Sequence, residues 1–377
     1  MESTPRPALE RALLEKLQAI LADTRWPAKV RLLAPREGDG GWRPDAIALL
    51  RTRTGLRLEL WVEAKRDLRP GAFGSWAQSR RPKASSGVAI PVLAVPSISE
   101  RLADLCRRAG WSWYDLAGNC RIEVPGLLHI ERRGNPPAYR PPRAVANLGT
   151  PAAARVLRAL LTPAHAGRTW SHRDLLQQTH WPQIPSDHPV SIGLINKVLH
   201  HLRDEGYVEV ADGRGIRLRD PKGLLNAWTK AYRFDRHERR SYFTLLKGAK
   251  LERALFGTAT VGMAVYAAFS AAERQAPHVR QPKTWVYVTT HCLDQLVQST
   301  EAKAVDSGEN LVVLIPDDVG VFVSFDGDVP IGERRLHSTD PVQTYVDLRH
   351  CGGRGEEAAQ ALLEQRLLPA WKAARLA

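Results

Sequence analysis

Two carboxylates and a lysine near the N-terminus have the types and spacing of a site that cleaves phosphodiesters with a metal ion. Asp45 follows Pro44, Glu63 comes 18 positions after Asp45, and Lys65 lies two residues further on. Mg²⁺ is a hard cation that binds carboxylate oxygens, so Asp45 and Glu63 are the candidate metal ligands. Lys65 could orient the attacking water and stabilise charge on the scissile phosphate. If this set is active, we expect Mg²⁺ to be its cofactor.

A β-hairpin is the element that must bring these residues together. The apolar patterns of residues 43–52 and 56–65, separated by a short turn, predict two strands. Asp45 would open the first strand. Glu63 and Lys65 would close the second, and because they are two apart they would project from the same face.

The flanking segments favour the same kind of domain. Residues 7–21 carry apolar side chains at helical spacing, and Glu10 or Glu15 on that helix could supply a third acid. A strand over residues 89–95 and a helix over residues 99–110 are predicted after the hairpin.

The set of Pro44, Asp45, Glu63 and Lys65 resembles the motif of the PD-(D/E)XK nuclease superfamily. The resemblance implies a restriction-endonuclease-like α/β domain, which we place at residues 1–133. An ordinary surface hairpin with one Glu and one Lys is the alternative. Residues 66–83, where many such nucleases have a supporting helix, contain two Gly and two Pro and predict a poor helix.

Charge and cysteine usage narrow the function classes. The 377-residue chain has 54 Lys and Arg against 40 Asp and Glu, a formal net charge of +14. This surplus favours a polyanionic partner, most simply nucleic acid. The four cysteines form no Cys-x-x-Cys or Cys/His pattern, so we expect buried free thiols and no zinc site.

Targeting signals are not recognisable in the sequence. The N-terminus lacks a signal-peptide pattern, and no apolar run reaches the length that spans a membrane. The longest candidate, residues 259–272, predicts a buried helix. We expect a cytoplasmic protein with no membrane partner.

Composition divides the rest of the chain into three parts. Residues 134–147 are rich in Pro and Arg and predict a stiff extended linker. Residues 148–220 predict a winged helix-turn-helix, and residues 221–377 predict an α+β domain. The expected fold class is thus α+β and multidomain.

Three helices and a hairpin make up the predicted winged helix. The first helix covers residues 152–161. The second covers residues 169–177, with Ser171 and Asp174 spaced as a capping box. The third runs from the N-cap Ser191 to Gly206.

The third helix and the hairpin after it predict contacts with duplex DNA. The helix can enter a major groove, and the hairpin can present arginines to the backbone or minor groove. Use of the unit for protein contacts, or as a spacer, is the alternative. The candidate DNA-binding residues are Ser191, Asn196, Lys197, His200, Arg203, Arg214 and Arg217.

In the C-terminal part, strands are predicted at residues 284–288, 311–315 and 319–323, followed by an amphipathic helix over residues 356–368. Asp347 is expected at a helix end and Glu357 on a helix surface. Earlier in the chain, residues 115–119 predict a turn held by Asx hydrogen bonds.

Three stretches are informative together: Trp113–Asn119, the predicted winged helix ending in Asp220-Pro221 with Leu224-Leu225, and Asp340–Leu348 before Gly353–Ala359. They resemble, over roughly residues 90–377, the AbiEi-like family of antitoxins and transcriptional regulators from type IV toxin–antitoxin systems. The resemblance implies a winged helix that binds its own promoter and a C-terminal domain that looks like, or opposes, a nucleotidyltransferase. The C-terminal part here lacks a Gly-Ser followed by paired Asp-x-Asp, so we do not expect nucleotidyl transfer. A typical member also begins with the winged helix, whereas a nuclease-like domain precedes it here.

The leading hypothesis is a DNA-binding regulator that reads duplex DNA with its winged helix and needs no cofactor to do so. The main alternative is a Mg²⁺-dependent endonuclease that the winged helix targets. A third hypothesis is an interaction protein whose C-terminal domain holds a toxin-like partner. The sequence leaves a homo-oligomer open.

Overall fold

A computed structural model provides the structure of the chain. It describes residues 6–23, 29–38, 41–51, 57–83, 87–137, 146–179, 188–211, 213, 215–259, 264–323 and 337–376. The protein is of mixed α and β class, as the sequence predicts. It divides into two compact units, one of Met1–Ala144 with Asp204–Gly206 and one of Val145–Arg203 with Tyr207–Ala377.

The first unit is built on one seven-stranded sheet. Its strands lie in chain order, antiparallel from β1 to β3, parallel from β3 to β5 and antiparallel again to β7. Its elements are α1 (Arg6–Ala22), β1 (Lys29–Leu33), β2 (Ala46–Arg51), β3 (Arg57–Ala64), α2 (Pro70–Gln78), β4 (Val88–Val95), α3 (Glu100–Arg108), β5 (Ser112–Asp115), β6 (Cys120–Val124) and β7 (Leu128–Arg132).

Strand β3 shows why the sequence folds in this way. Its even positions, Leu58, Leu60 and Val62, are buried in a core that they share with the apolar stripe of α1. Its odd positions, Glu59, Trp61 and Glu63, are buried on the opposite face, because successive side chains of a strand alternate. That second face is rich in tryptophan, with Trp42, Trp61, Trp111 and Trp113 in one core with Phe73. The carboxylates of Glu59 and Glu63 therefore lie in an aromatic environment.

The prediction of a poor helix after Lys65 is wrong. Helix α2 covers Pro70–Gln78, with Pro70 in its first turn, where the missing N–H costs nothing. Phe73 is buried on its inner face, so tertiary packing outweighs the low helix propensity of Gly71 and Gly74.

The second unit contains two smaller sheets. A three-stranded sheet has the order β8-β10-β9, and a five-stranded sheet has the order β12-β13-β15-β11-β14. The elements up to Ala231 are α4 (Pro151–Leu161), β8 (Thr169–Trp170), α5 (His172–Thr179), α6 (Ile192–Asp204), β9 (Val208–Val210), β10 (Ile216–Leu218) and α7 (Pro221–Ala231). Those after it are β11 (Glu238–Phe243), α8 (Ala249–Ala259), β12 (Ala264–Tyr266), α9 (Ala268–Gln275), β13 (Thr284–Val288), α10 (Thr290–Ser299), β14 (Lys303–Ala304), β15 (Leu311–Ile315), α11 (Pro341–Leu348), α12 (Gly355–Leu362) and α13 (Leu368–Ala373).

The predicted capping box at the start of α5 is present in both directions. The Ser171 N–H donates to Asp174 Oδ2 at 3.0 Å, and the Asp174 N–H donates to Ser171 Oγ at 3.1 Å. The predicted start of that helix at Thr169 is wrong, since Thr169 and Trp170 form β8. They pair there with Arg217 and Ile216 of β10.

Two further predictions of secondary structure are wrong. Residues 259–272 do not form one helix, because strand β12 lies between α8 and α9. Residues Val319–Phe322 form a short 3-10 helix in place of a strand. None of the helices in the described ranges combines the length and apolarity that crossing a bilayer requires.

One hydrophobic core runs through most of the second unit. It joins Leu157 of α4, Leu199 of α6 and Trp228 of α7 with Tyr287 of β13 and Val346 of α11. The segment predicted as a winged helix and the segment predicted as a separate C-terminal domain thus share their interior. The proposed boundaries at residues 134, 148 and 221 stay predictions.

Candidate functional site

Asp45 is held at the mouth of the β2–β3 hairpin. It directly precedes the pair of Ala46 and Val62, and its N–H donates to the Val62 carbonyl at 3.0 Å. Its Oδ2 accepts a hydrogen bond from the Ala64 N–H at 2.8 Å. The carboxylate therefore lies against the end of β3, next to Glu63.

Glu63 is almost fully buried and surrounded by donors. Its Oε2 accepts from Trp42 Nε1 at 2.9 Å, and its Oε1 lies 2.8 Å from Lys65 Nζ. Arg80 Nε is 3.7 Å from the same Oε1. The predicted pairing of Glu63 and Lys65 on one face is present.

The acids of this site act on one another. The pKa of Asp45 is raised above its ordinary value, first because burial disfavours its charge and then because Glu63 and Glu10 are close. Lys65 acts in the opposite direction. Of Glu10 and Glu15, the two acids considered on α1, Glu10 thus acts on the charge of Asp45.

The carboxylates of this site already have hydrogen-bond or ion-pair partners. Both oxygens of Glu63 already face donors, and Asp45 Oδ2 faces the Ala64 N–H. Within the described residues, no group of three or more Asp, Glu, His or Cys side chains is arranged to hold a metal. The catalytic and metal-binding roles of Asp45, Glu63 and Lys65 stay predictions.

The turn expected at residues 115–119 is present. Asp115 Oδ1 accepts from the Asn119 N–H at 3.0 Å, and Asp115 Oδ2 accepts from Asn119 Nδ2 at 3.1 Å. Asn119 in turn binds the backbone of Asn135 through its Oδ1 and Nδ2. These contacts give Asp115 and Asn119 a structural role.

In the second unit, α6 has the two faces that its sequence predicts. Ser191 caps the helix, since its Oγ accepts from the Leu194 N–H at 3.2 Å. Ile195, Val198 and Leu202 are buried, whereas Leu194 is half-buried. The stripe fixes which side of α6 faces away from the core.

The outward face of α6 carries most of the candidate DNA-binding residues. Asn196, Lys197 and Arg203 are exposed, and His200 is half-buried. His200 Nδ1 lies 2.8 Å from Arg203 Nη2, so these two side chains are tied to each other. Ile192, which the sequence did not single out, is 52% exposed at the start of the helix.

The hairpin of β9 and β10 follows α6 in the sequence and carries arginines. Arg217 is exposed and forms a cross-strand ion pair with Glu209, at 2.5 Å between Nη2 and Oε1. Arg219, just beyond β10, is exposed. Arg214 lies outside the described residues, so its predicted role stays untested.

A buried ionic cluster joins α4 to the C-terminal part, and the sequence gave little sign of it. Arg155 Nε donates to Asp318 Oδ1 at 2.7 Å, and Arg158 Nη1 donates to Asp318 Oδ2 at 3.0 Å. All three side chains are at most 5% exposed. Two arginines within the apolar run 152–161 were the only available signal.

The cluster continues into a second buried group around Asp347. Arg158 Nε donates to Gln343 Oε1 at 2.7 Å, and Gln343 Nε2 donates to Asp347 Oδ1 at 2.7 Å. Tyr232 and Tyr287 donate to the two oxygens of Asp347 at 2.9 and 3.1 Å. Asp347 lies at the end of α11, as expected, and it also holds this buried network together.

His237 completes this network. Its Nδ1 accepts from the Asp317 N–H at 3.0 Å, which leaves the proton of the neutral ring on Nε2, 2.6 Å from Tyr232 Oη. Burial lowers the pKa of His237 to about 4. Burial raises the pKa of Asp347 to about 7, against the effect of its three hydrogen-bond donors.

Comparison with known proteins identifies the region that contains this network. No curated protein and no solved structure matches the chain. Residues 217–368 match the model of a family described as "Transcriptional regulator, AbiEi antitoxin, Type IV TA system". The match includes Asp340–Leu348, the stretch on which the resemblance most depends. Residues 217–368 are therefore similar to the AbiEi family of type IV toxin–antitoxin transcriptional regulators.

Proposed function

We propose that this protein regulates transcription by reading duplex DNA with α6 and the β9–β10 hairpin. The observation that carries the proposal is the two-sided character of α6. Its apolar side is fixed in the core, and it exposes Asn196, Lys197 and Arg203 along its outer side.

The chemistry of that surface suits a major groove. An Asn side chain can bind adenine through two hydrogen bonds, and a Lys can bind guanine or phosphate. Ile192, exposed at the start of α6, could contact a thymine methyl group. The order of α4, β8, α5, α6, β9 and β10 is that of a winged helix, and the family that residues 217–368 resemble supports a regulatory role.

Salt titration of duplex binding tests the surface. Each phosphate that a cation neutralises adds about 0.9 to the slope of log affinity against log salt. Lys197→Ala should weaken binding to all duplexes and reduce the slope by about 1. Lys222→Ala is the matched control, because Lys222 is exposed on α7 of the same unit. Equal behaviour of the two variants in fluorescence anisotropy would refute the proposed surface.

We further propose a toxin-like protein as partner of the C-terminal part. The support is the antitoxin family that residues 217–368 resemble. Co-expression with the product of the neighbouring gene, followed by purification, tests it. A stoichiometric complex supports the partner, and separate elution of two folded proteins argues against it.

A metal-dependent nuclease is the second candidate. The juxtaposition of Asp45 and Glu63, with Glu10 near Asp45, favours it, and the engagement of Glu63 by Trp42 and Lys65 opposes it. Plasmid incubation with Mg²⁺ or Mn²⁺, comparing wild type with Asp45→Ala, discriminates. Cutting that Asp45→Ala abolishes supports the nuclease. Intact plasmid with both proteins and both metals leaves a domain that binds without cleaving.

A further inference from the structure

The first unit contains a cavity of about 810 Å³ that none of Asp45, Glu63 and Lys65 lines. Its wall is formed by the end of α2, the start of β4, the end of α3 and the start of β6. Phe73 and Trp111 lie in the wall and are themselves buried in the core. The volume is within the range of pockets that hold small molecules.

The charge of the lining is positive. Four arginines line the cavity, Arg80, Arg81, Arg107 and Arg121, against one carboxylate, Glu123, which pairs with Arg121. The C-terminal ends of α2 and α3 also border it and contribute roughly half a negative charge each. Arg80 is also 3.7 Å from Glu63, so the sum is about one positive charge, which favours an anion.

The arginines offer donors to such an anion. Arg121 Nε is buried without a hydrogen-bond acceptor, whereas Arg80 Nε faces Glu63 Oε1 at 3.7 Å. Buried donors nearly always have a partner in folded proteins, so Arg121 Nε is a candidate donor to a bound anion. Arg81 and Arg107 are exposed at the rim. Arg107 is 3.6 Å from Asp104, in a solvent-screened pair that holds it only weakly.

We propose that this cavity binds a nucleotide-sized ligand through its phosphate groups. Guanidinium groups match phosphate oxygens in bidentate geometry, and four arginines line this cavity. The phosphate could belong to a free nucleotide or to the 5′ end of a nucleic-acid strand. The residues that line the cavity are different from those of the α6 surface, so this proposal does not depend on the function of that surface.

Binding measurements on the full chain separate the two sources. The probes are ATP, a single-stranded hexanucleotide with a 5′-phosphate and the same hexanucleotide without it. Trp111 lines the cavity and lies 4.7 Å from Trp76 between ring centroids, so tryptophan fluorescence can report occupancy alongside calorimetry. Stoichiometric binding of ATP alone indicates a free nucleotide. Tighter binding of the hexanucleotide with the 5′-phosphate than of the one without it indicates a strand end.

The variants test the location. The double variant Arg81→Ala with Arg107→Ala should weaken the bound probe at least about tenfold, because it removes two charge-assisted contacts. Lys83→Ala with Arg108→Ala removes the same charge from neighbouring exposed positions that do not line the cavity. Its affinity should match wild type. Failure of wild type to bind any probe, or equal weakening in both double variants, overturns the proposal. Unchanged melting temperatures exclude unfolding as the cause.

Discussion

At the scale of single residues, burial decides what each charged group does. Arg217 was expected to bind DNA, and its exposed pair with Glu209 holds it in place only weakly. Arg158 attracted no functional expectation, yet it is fully buried and binds both Asp318 and Gln343. Sequence gives the residue type, but the environment that sets its role comes from distant parts of the chain.

Over much of the acidic pH range, His237 and Asp347 together bind the same number of protons in the folded state as in the unfolded state. Between about pH 4 and 6.5, an unfolded chain carries a protonated histidine and an ionised aspartate. In the folded state the pKa of His237 is about 4 and that of Asp347 is about 7, so the proton lies on the aspartate. The two contributions to the pH dependence of stability therefore cancel.

Replacing either residue should reveal how the other one makes the free energy of unfolding depend on pH. In Asp347→Asn only the depressed pKa of His237 remains. Relative to wild type, its free energy of unfolding should fall by about 1.4 kcal/mol per pH unit as pH drops from 6.5 to 4. In His237→Gln only the raised pKa of Asp347 remains, so stability should fall as pH rises from 4 to 7. Urea unfolding at pH 4.5, 5.5 and 6.5 measures both. Slopes of the same sign would contradict the assignment.

At the scale of elements, the sequence predicted those features of helices and strands that depend on residues close together in the chain. The capping box of Ser171 and Asp174, the N-cap Ser191 and the buried stripe of α6 were readable, because each depends on residues within a few positions. The hairpin with Asp45 at its mouth was also readable from its two apolar stretches separated by a short turn.

Elements that depend on distant partners were not readable. The two residues of β8 form a strand only because β10 pairs with them. Helix α2 forms despite its glycines because Phe73 packs into the tryptophan-rich core. The buried polar network joins residues more than a hundred positions apart, so spacing could not reveal it.

Helix α4 is anchored by its arginines, and a variant can measure the anchor. Arg158→Met leaves Gln343 Oε1 without its donor and Asp318 with one partner fewer. Breaking a buried pair in this way costs about 3 kcal/mol or more. Arg217→Met breaks the exposed pair with Glu209 and should cost less than about 1 kcal/mol. Urea denaturation of both variants gives the comparison, and equal costs would contradict the anchoring role.

At the scale of the whole molecule, the surplus of 14 positive charges favours association with nucleic acid but carries no sequence information. Discrimination between sequences must come from side chains that reach base edges. We propose that α6 has that role, with Asn196 as the residue best suited to read a base. The cavity of the first unit, by contrast, is expected to recognise phosphate.

Selection of duplexes from a random library tests the central claim most directly. Wild-type protein should enrich one sequence motif. Asn196→Ala should lose preference at one base pair of that motif, because a good bidentate contact discriminates by about 1–3 kcal/mol. Its preferences at the other base pairs of the motif should stay unchanged. Enrichment of no motif by wild type, or of an identical motif by Asn196→Ala, would contradict the reading of DNA by α6.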